Sequence, residues 1–144
     1  MKISRKMYFK IIDWVEVRYN KVDVKSEGLA LRNRQCHLNS YENYINNGYK
    51  VVPVICVEKT KTGSIPVFIH FINKKSMGIE FEPEYIDVTL GNVGRELYDY
   101  YIVDKAFEPR DAYAMLRCLD DLKIFVLQNF YKSKRKCKKL TDSI

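Results

Sequence analysis

Three side chains have the types and the order that acyl transfer through a thiol requires: Cys36, His70 and Asp87. Cys36 stands at the start of a segment that runs to Gly48, in which Leu38, Tyr41 and Ile45 recur at helical spacing and Asn47-Gly48 suits a left-handed helix end. A cysteine at a helix N-terminus faces unpaired backbone N–H groups and the positive end of the helix dipole, both of which favour thiolate over thiol. A free thiol titrates near pH ~8.5 and is mostly protonated at neutral pH, so an efficient cysteine nucleophile adds a histidine oriented by a carboxylate or amide. His70 is the single polar interruption of an apolar run from Pro66 to Ile72, and Asp87 interrupts the run from Glu84 to Leu90 in the same way. Each also has a plain structural reading. Cys36 could be a buried cap, His70 a hydrogen-bonded core histidine, and Asp87 its partner or a turn cap.

The two runs read as adjacent antiparallel strands. A turn centred between Gly78 and Ile79 sets Lys75 opposite Glu82, Phe71 opposite Ile86 and His70 opposite Asp87, so that charges, apolar residues and the two enclosed polar residues all meet. His37 competes as a base, but neighbouring residues of a helix point about 100° apart, which assigns it to the rim or a supporting position. Asn39, one turn after Cys36, either lines the same cleft or faces solvent. The other thiols are Cys56, in a β-branched strand, Cys118, beside the apolar stripe of a long helix, and Cys137, near the chain end. No pair has the close Cys or Cys/His spacing of a zinc site, so neither a metal nor a cofactor is expected.

The segments Gln35-Cys36-His37-Leu38-Asn39, Val67-Phe68-Ile69-His70-Phe71 and Tyr85-Ile86-Asp87-Val88-Thr89 together resemble the papain-like and transglutaminase-like superfamily, which includes the arylamine N-acetyltransferases. There Cys, His and Asp or Asn follow in this order on a helix and adjacent strands, and Asp87-Val88-Thr89 is similar to the Asp-x-Thr element of transglutaminase-like members. The likeness spans roughly residues 30–91. It implies a papain-like core and a cysteine hydrolase or acyltransferase of peptidase, amidase or deamidase type, working through a thioester on Cys36 with His70 as base and Asp87 as orienter. The Cys-Gly-Ser-Cys-Trp signature of papain is absent, as is a glutamine several residues before the cysteine. Oxyanion stabilisation therefore falls to the Cys36 backbone N–H and a neighbouring side chain such as Gln35.

These residues need elements to hold them. Tyr8, Ile11, Ile12, Val15 and Tyr19 predict an amphipathic helix over residues 4–19, with a strand as the alternative its β-branched content leaves open, and 20–34 shows no period. Val51–Val57, with Pro53 near its start, reads as a buried strand, and Leu97–Val103 as a further strand whose aromatics fit a sheet and identify nothing else. Pro109 opens a long helix with Ala112, Met115, Leu116, Leu119, Leu122, Val126 and Phe130 on one stripe. The expected fold class is α+β: a Cys-bearing helix on a mainly antiparallel sheet, flanked by N- and C-terminal helices.

At 144 residues and 47% hydrophobic, the chain has the length and apolar content of one packed domain, expected over 1–131, and is too apolar to remain unfolded. Of the net +7, five charges belong to 132–144, where Lys132, Lys134, Arg135, Lys136, Lys138 and Lys139 face Asp142 alone. This basic C-terminal tail reads as a solvated, frayed extension, and alternatively as a salt-sensitive contact for nucleic acid or an acidic partner. It supports the competing function, a non-catalytic binding protein. No apolar run approaches the ~20 residues of a membrane span, and Asp13 breaks the N-terminal apolar run without a cleavage site after it, so a cytoplasmic protein is expected. The Lys, Asn, Ile and Tyr content fits AT-rich codons, as in a phage or low-GC bacterium.

Overall fold

The computed structural model describes residues 5–25, 36–63, 67–103 and 110–142, with 133–142 as backbone. Helix α1 (Arg5–Arg18) buries Tyr8, Ile11, Ile12 and Val15, the stripe its spacing predicts. Two short strands follow, β1 (Asn20–Val22) and β2 (Val24–Lys25), then α2 (Cys36–Asn47), β3 (Lys50–Glu58), β4 (Phe68–Lys75), β5 (Glu84–Ile86), α3 (Gly91–Leu97), β6 (Tyr98–Ile102) and α4 (Ala112–Asp142). The strands form one six-stranded mixed sheet in the order β1-β6-β3-β4-β5-β2. Every pairing is antiparallel except β2 with β5. The fold is α+β, and among the described residues no helix is long and apolar enough to cross a membrane.

Several elements depart from the sequence expectation for identifiable reasons. β1 and β2 have no apolar period because each only completes an edge, β1 against β6 and β2 against β5. β5 stops at Ile86, and Gly91–Leu97 is a helix. The β4–β5 register pairs Asn73 with Ile86 and Lys75 with Glu84, two residues from the predicted one. A two-residue slip preserves which face each side chain occupies. The long helix starts later than expected, with Asp111 as its cap: the Asp111 carboxylate accepts the Ala114 N–H at 2.7 Å and its carbonyl the Met115 N–H. Leu116, assigned to the buried stripe, is 45% exposed, whereas Met115, Leu122, Val126 and Phe130 are buried. Pro109 lies outside the described residues. At its other end α4 continues through 132–142, where a frayed extension was expected.

Proline inside a central strand would ordinarily strand a ladder acceptor. Pro53 of β3 avoids this because β6 ends beside it: the Val103 N–H reaches the Pro53 carbonyl at 3.0 Å, and no further rung of that ladder follows. The sheet separates two clusters. On one face Ile55, Val57, Phe71 and Tyr101 pack with Ile12 and Val15 of α1 and Met115, Val126 and Phe130 of α4. On the other, Val54, Cys56, Ile72 and Tyr100 pack with Val24. The N- and C-terminal helices thus cover one side of the sheet, as expected.

Helix α2 docks differently from the apolar stripe read in its sequence. Its buried residues are Cys36, Asn39 and Ser40, while Ile45 is 58% exposed. The cause is the surface it meets. β5 pairs with only Asn73–Lys75 of β4, so the earlier part of β4 presents unpaired backbone groups, which small polar side chains satisfy better than leucines. Ser40 Oγ donates to the Phe71 carbonyl at 3.0 Å, and the fully buried Asn73 donates from Nδ2 to the Ser40 and Tyr49 carbonyls at 3.0 and 3.3 Å. Gly48, at φ 71°, ends the helix by donating its N–H to the Tyr44 carbonyl. Asn73→Ala removes both Asn73 bonds, so chemical denaturation should show a loss of about 1–3 kcal/mol. A variant as stable as the parent would mean that α2 docks without this bond.

Candidate active site

The flank of β4 that α2 covers also brings the three candidate residues together. The Phe71 backbone N–H donates to Cys36, the first residue of α2, while the Phe71 carbonyl takes Ser40, so both polar groups of one β4 residue are used by one face of the helix. His70, adjacent on β4 and 96% shielded from solvent, hydrogen-bonds both Cys36 and Asp87. Its Nε2 lies 3.0 Å from Asp87 Oδ2, which leaves Nδ1 for the thiol. Asp87 sits in the turn just after β5 rather than within a strand, and its side chain is fully enclosed. Oδ1 accepts the N–H groups of Thr89 and Leu90, each at 3.0 Å, and Oδ2 accepts the Tyr100 hydroxyl at 2.7 Å as well as His70.

The supporting residues divide. Asn39 is buried rather than solvent-facing and donates from Nδ2 to Thr89 Oγ1 at 3.1 Å, joining α2 to the Asp87 turn. His37 is half-buried one helical step from Cys36, and burial lowers its pKa; the groups acting on Cys36 are His70, Phe71 and Asp87. Gln35 lies outside the described residues, as do the side chains of Cys118 and Cys137. Cys56 is wholly buried, which pushes its thiol well above the ordinary value and makes it inert. Among the described residues no group of three His, Cys, Asp or Glu side chains is arranged to hold a metal ion.

Proton affinities in the cluster follow from its contacts. Burial raises the Cys36 pKa, but the hydrogen bond and charge of His70, with the Phe71 N–H, outweigh burial and bring it below the ordinary thiol value. For His70, burial favours the neutral ring, yet the hydrogen bonds and charges of Asp87 and Cys36 push its pKa up to about 9. Asp87 is raised by burial and lowered by His70, Tyr100 and the Leu90 N–H, with a net shift downward. Opposite shifts on Cys36 and His70 favour a thiolate–imidazolium pair beside an ionised carboxylate.

Two participants were missed in the sequence. Tyr100 lies in the aromatic run that marks β6 as a strand and nothing more, and its contact with Asp87 reaches across β3 and β4, which no local pattern encodes. The Phe71 N–H is a backbone group that any residue at that position would provide. Comparison with protein-family models, curated proteins and solved structures finds no match to this chain.

The paired shifts make a prediction about stability. His70 binds its proton more tightly when folded, so its contribution is complete below its unfolded pKa of 6.5 and fades as pH rises through about 9. Cys36 releases its proton more readily when folded, so its contribution is complete above the unfolded thiol pKa and fades as pH falls through the lowered one. In the parent these two proton counts oppose one another between the lowered Cys36 value and about 9. Cys36→Ala removes one of them. Denaturation across that window should show the variant losing stability relative to the parent by up to about 1.4 kcal/mol per pH unit. Parallel stability curves would contradict an ion pair between Cys36 and His70.

Proposed function

We propose that the chain is a cysteine-dependent hydrolase or acyltransferase of the peptidase, amidase or deamidase type, with Cys36 as nucleophile, His70 as base and acid, and Asp87 as orienter. The observation that carries this reading is the buried hydrogen-bonded relay from Cys36 through His70 to Asp87 Oδ2, built from residues 34 and 17 positions apart in the sequence. Its arrangement also supports a papain-like core: a helix that opens with the cysteine docks on a largely antiparallel sheet, with histidine on one strand and aspartate after the next.

The chemistry follows from the proton positions. The Cys36 thiolate attacks the carbonyl carbon of an amide, and the imidazolium of His70 gives its proton to the departing nitrogen as the C–N bond breaks, leaving a thioester on Sγ. Neutral His70 then takes a proton from water or an amine as that nucleophile attacks the thioester. The C–S bond breaks, and the acid or the new amide leaves with the thiolate–imidazolium pair restored. Asp87 holds the ring by Nε2 throughout, so Nδ1 stays directed at Cys36. The helix N-terminus at Cys36 offers backbone N–H groups to the tetrahedral oxyanion. The alternative, a non-catalytic binding protein on the same scaffold that engages a protein or nucleic acid with help from the basic tail, rests on the Lys and Arg run of 132–139.

Iodoacetamide alkylation followed by peptide mapping separates the two. Cys36 should react at neutral pH at least about tenfold faster than a thiol of ordinary pKa, and His70→Ala should abolish the excess. A Cys36 that alkylates like an ordinary thiol, or one indifferent to the loss of His70, would remove the enzymatic reading.

A further inference from the structure

Asp87 Oδ2 receives two donors, and the closer is not the histidine: Tyr100 Oη lies at 2.7 Å and His70 Nε2 at 3.0 Å. Tyr100 belongs to β6, two strands from His70, with β3 between them. Its ring spans that gap on the face where Cys56, its β3 partner, contributes only a small buried side chain, and it comes within 6.4 Å of the His70 ring, centroid to centroid. The hydroxyl is seated against α3. At Gly94 a Cβ would overlap both Tyr100 Oη and the Leu90 side chain, so this helix position admits the hydroxyl only as glycine. Leu90, in turn, supplies one of the N–H groups on Asp87 Oδ1. The contacts close a ring: Asp87, the turn to Leu90, Gly94 of α3, Tyr100, and back to Asp87.

We propose that Tyr100 is a positioning residue of this centre, its hydroxyl over Gly94 fixing the rotation of the Asp87 carboxylate so that Oδ2 stays on His70 Nε2. The inference rests on the cysteine-enzyme reading and deepens it. The two turn N–H groups hold Oδ1 only, and a carboxylate anchored at one oxygen can still swing its other oxygen about the Cβ–Cγ bond. Tyr100 removes that freedom from a second direction. It does so as a donor at every pH relevant to the site, because burial and the Asp87 charge keep its hydroxyl protonated. The other titratable groups facing Tyr100 are Cys56 of β3 and Tyr98 of β6, both raised by burial, which leaves Asp87 as the one anion for its proton to address.

The test is the pH dependence of Cys36 alkylation by iodoacetamide in the parent, His70→Ala, Tyr100→Phe and Gly94→Ala, with melting temperatures recorded alongside. Tyr100→Phe keeps the ring and loses the donor. Its Cys36 midpoint should move to higher pH by about half a unit or more, equivalent to at least about threefold slower alkylation below the parental midpoint. Gly94→Ala keeps the hydroxyl but displaces it, and should shift the midpoint in the same direction; it carries the test should Tyr100→Phe not fold. Adding Gly94→Ala to Tyr100→Phe should shift the midpoint less than it does alone, since there is no hydroxyl left to displace. An activated parental Cys36 with an unmoved midpoint in the folded variants, even at lower melting temperature, would make Tyr100 merely structural and overturn the proposal. A parental Cys36 that is not activated, matched by His70→Ala, would instead overturn the enzymatic reading itself.

Discussion

A carboxylate with no access to water must be neutralised from all sides, and Asp87 imposes that demand on this fold. An unpaired ionised carboxylate in a low-dielectric interior costs several kcal/mol even after relaxation, so a buried one survives only with its lone pairs occupied. Asp87 has four donors: a histidine from β4, a tyrosine from β6 and two backbone N–H groups from its own turn. Its backbone N–H also reaches the Lys25 carbonyl of β2. Strands β4, β5 and β6 and the start of α3 are therefore tied to one charge, and none can slide without leaving it partly unsatisfied.

The position of Cys36 follows from a second accounting of polar groups. Where β5 turns away, β4 is left with backbone groups that need partners, and α2 supplies them from the face bearing Cys36, Asn39 and Ser40. Residues at i, i+3 and i+4 share a helix face, so the anchor at Ser40 and the thiol at Cys36 are set by one docking event. The same departure of β5 that opens this flank carries Asp87 into its turn. The gap in the sheet thus seats the helix and the carboxylate together, with His70 between them.

Much of this was legible because it is periodic. The α1 stripe, the β3 and β4 runs and the α2 terminus at Gly48 each have a local signature that tertiary packing did not override. The proximity of His70 and Asp87 survived an incorrect register only because the error was an even number of residues; an odd slip would have put them on opposite faces. What was illegible is non-local. The polar face of α2 looked like the wrong face because the surface receiving it consists of unpaired backbone groups, invisible in a hydropathy pattern. Gly94 has no local signature of its role, which is to allow close approach of the Tyr100 hydroxyl to a short helix. Tyr100 had no distinguishing neighbour in the sequence, since its partner Asp87 lies beyond two intervening strands.

Charge balance explains how such a cluster can be buried and still ionise. With Cys36 and His70 neutral the site carries the single negative charge of Asp87. With the proton moved from sulfur to imidazole it carries two negative charges and one positive, the same total. Burial opposes the creation of net charge far more than its rearrangement among touching groups, so internal transfer avoids most of the desolvation that would accompany ionising Cys36 by itself. Asp87 raises the Cys36 pKa through its charge and opposes that effect by holding His70 protonated. The net direction depends on His70 standing between the two anions, in contact with both. Geometry decides the sign here: without an imidazole fixed between them, the carboxylate would suppress the thiolate that it otherwise helps to form.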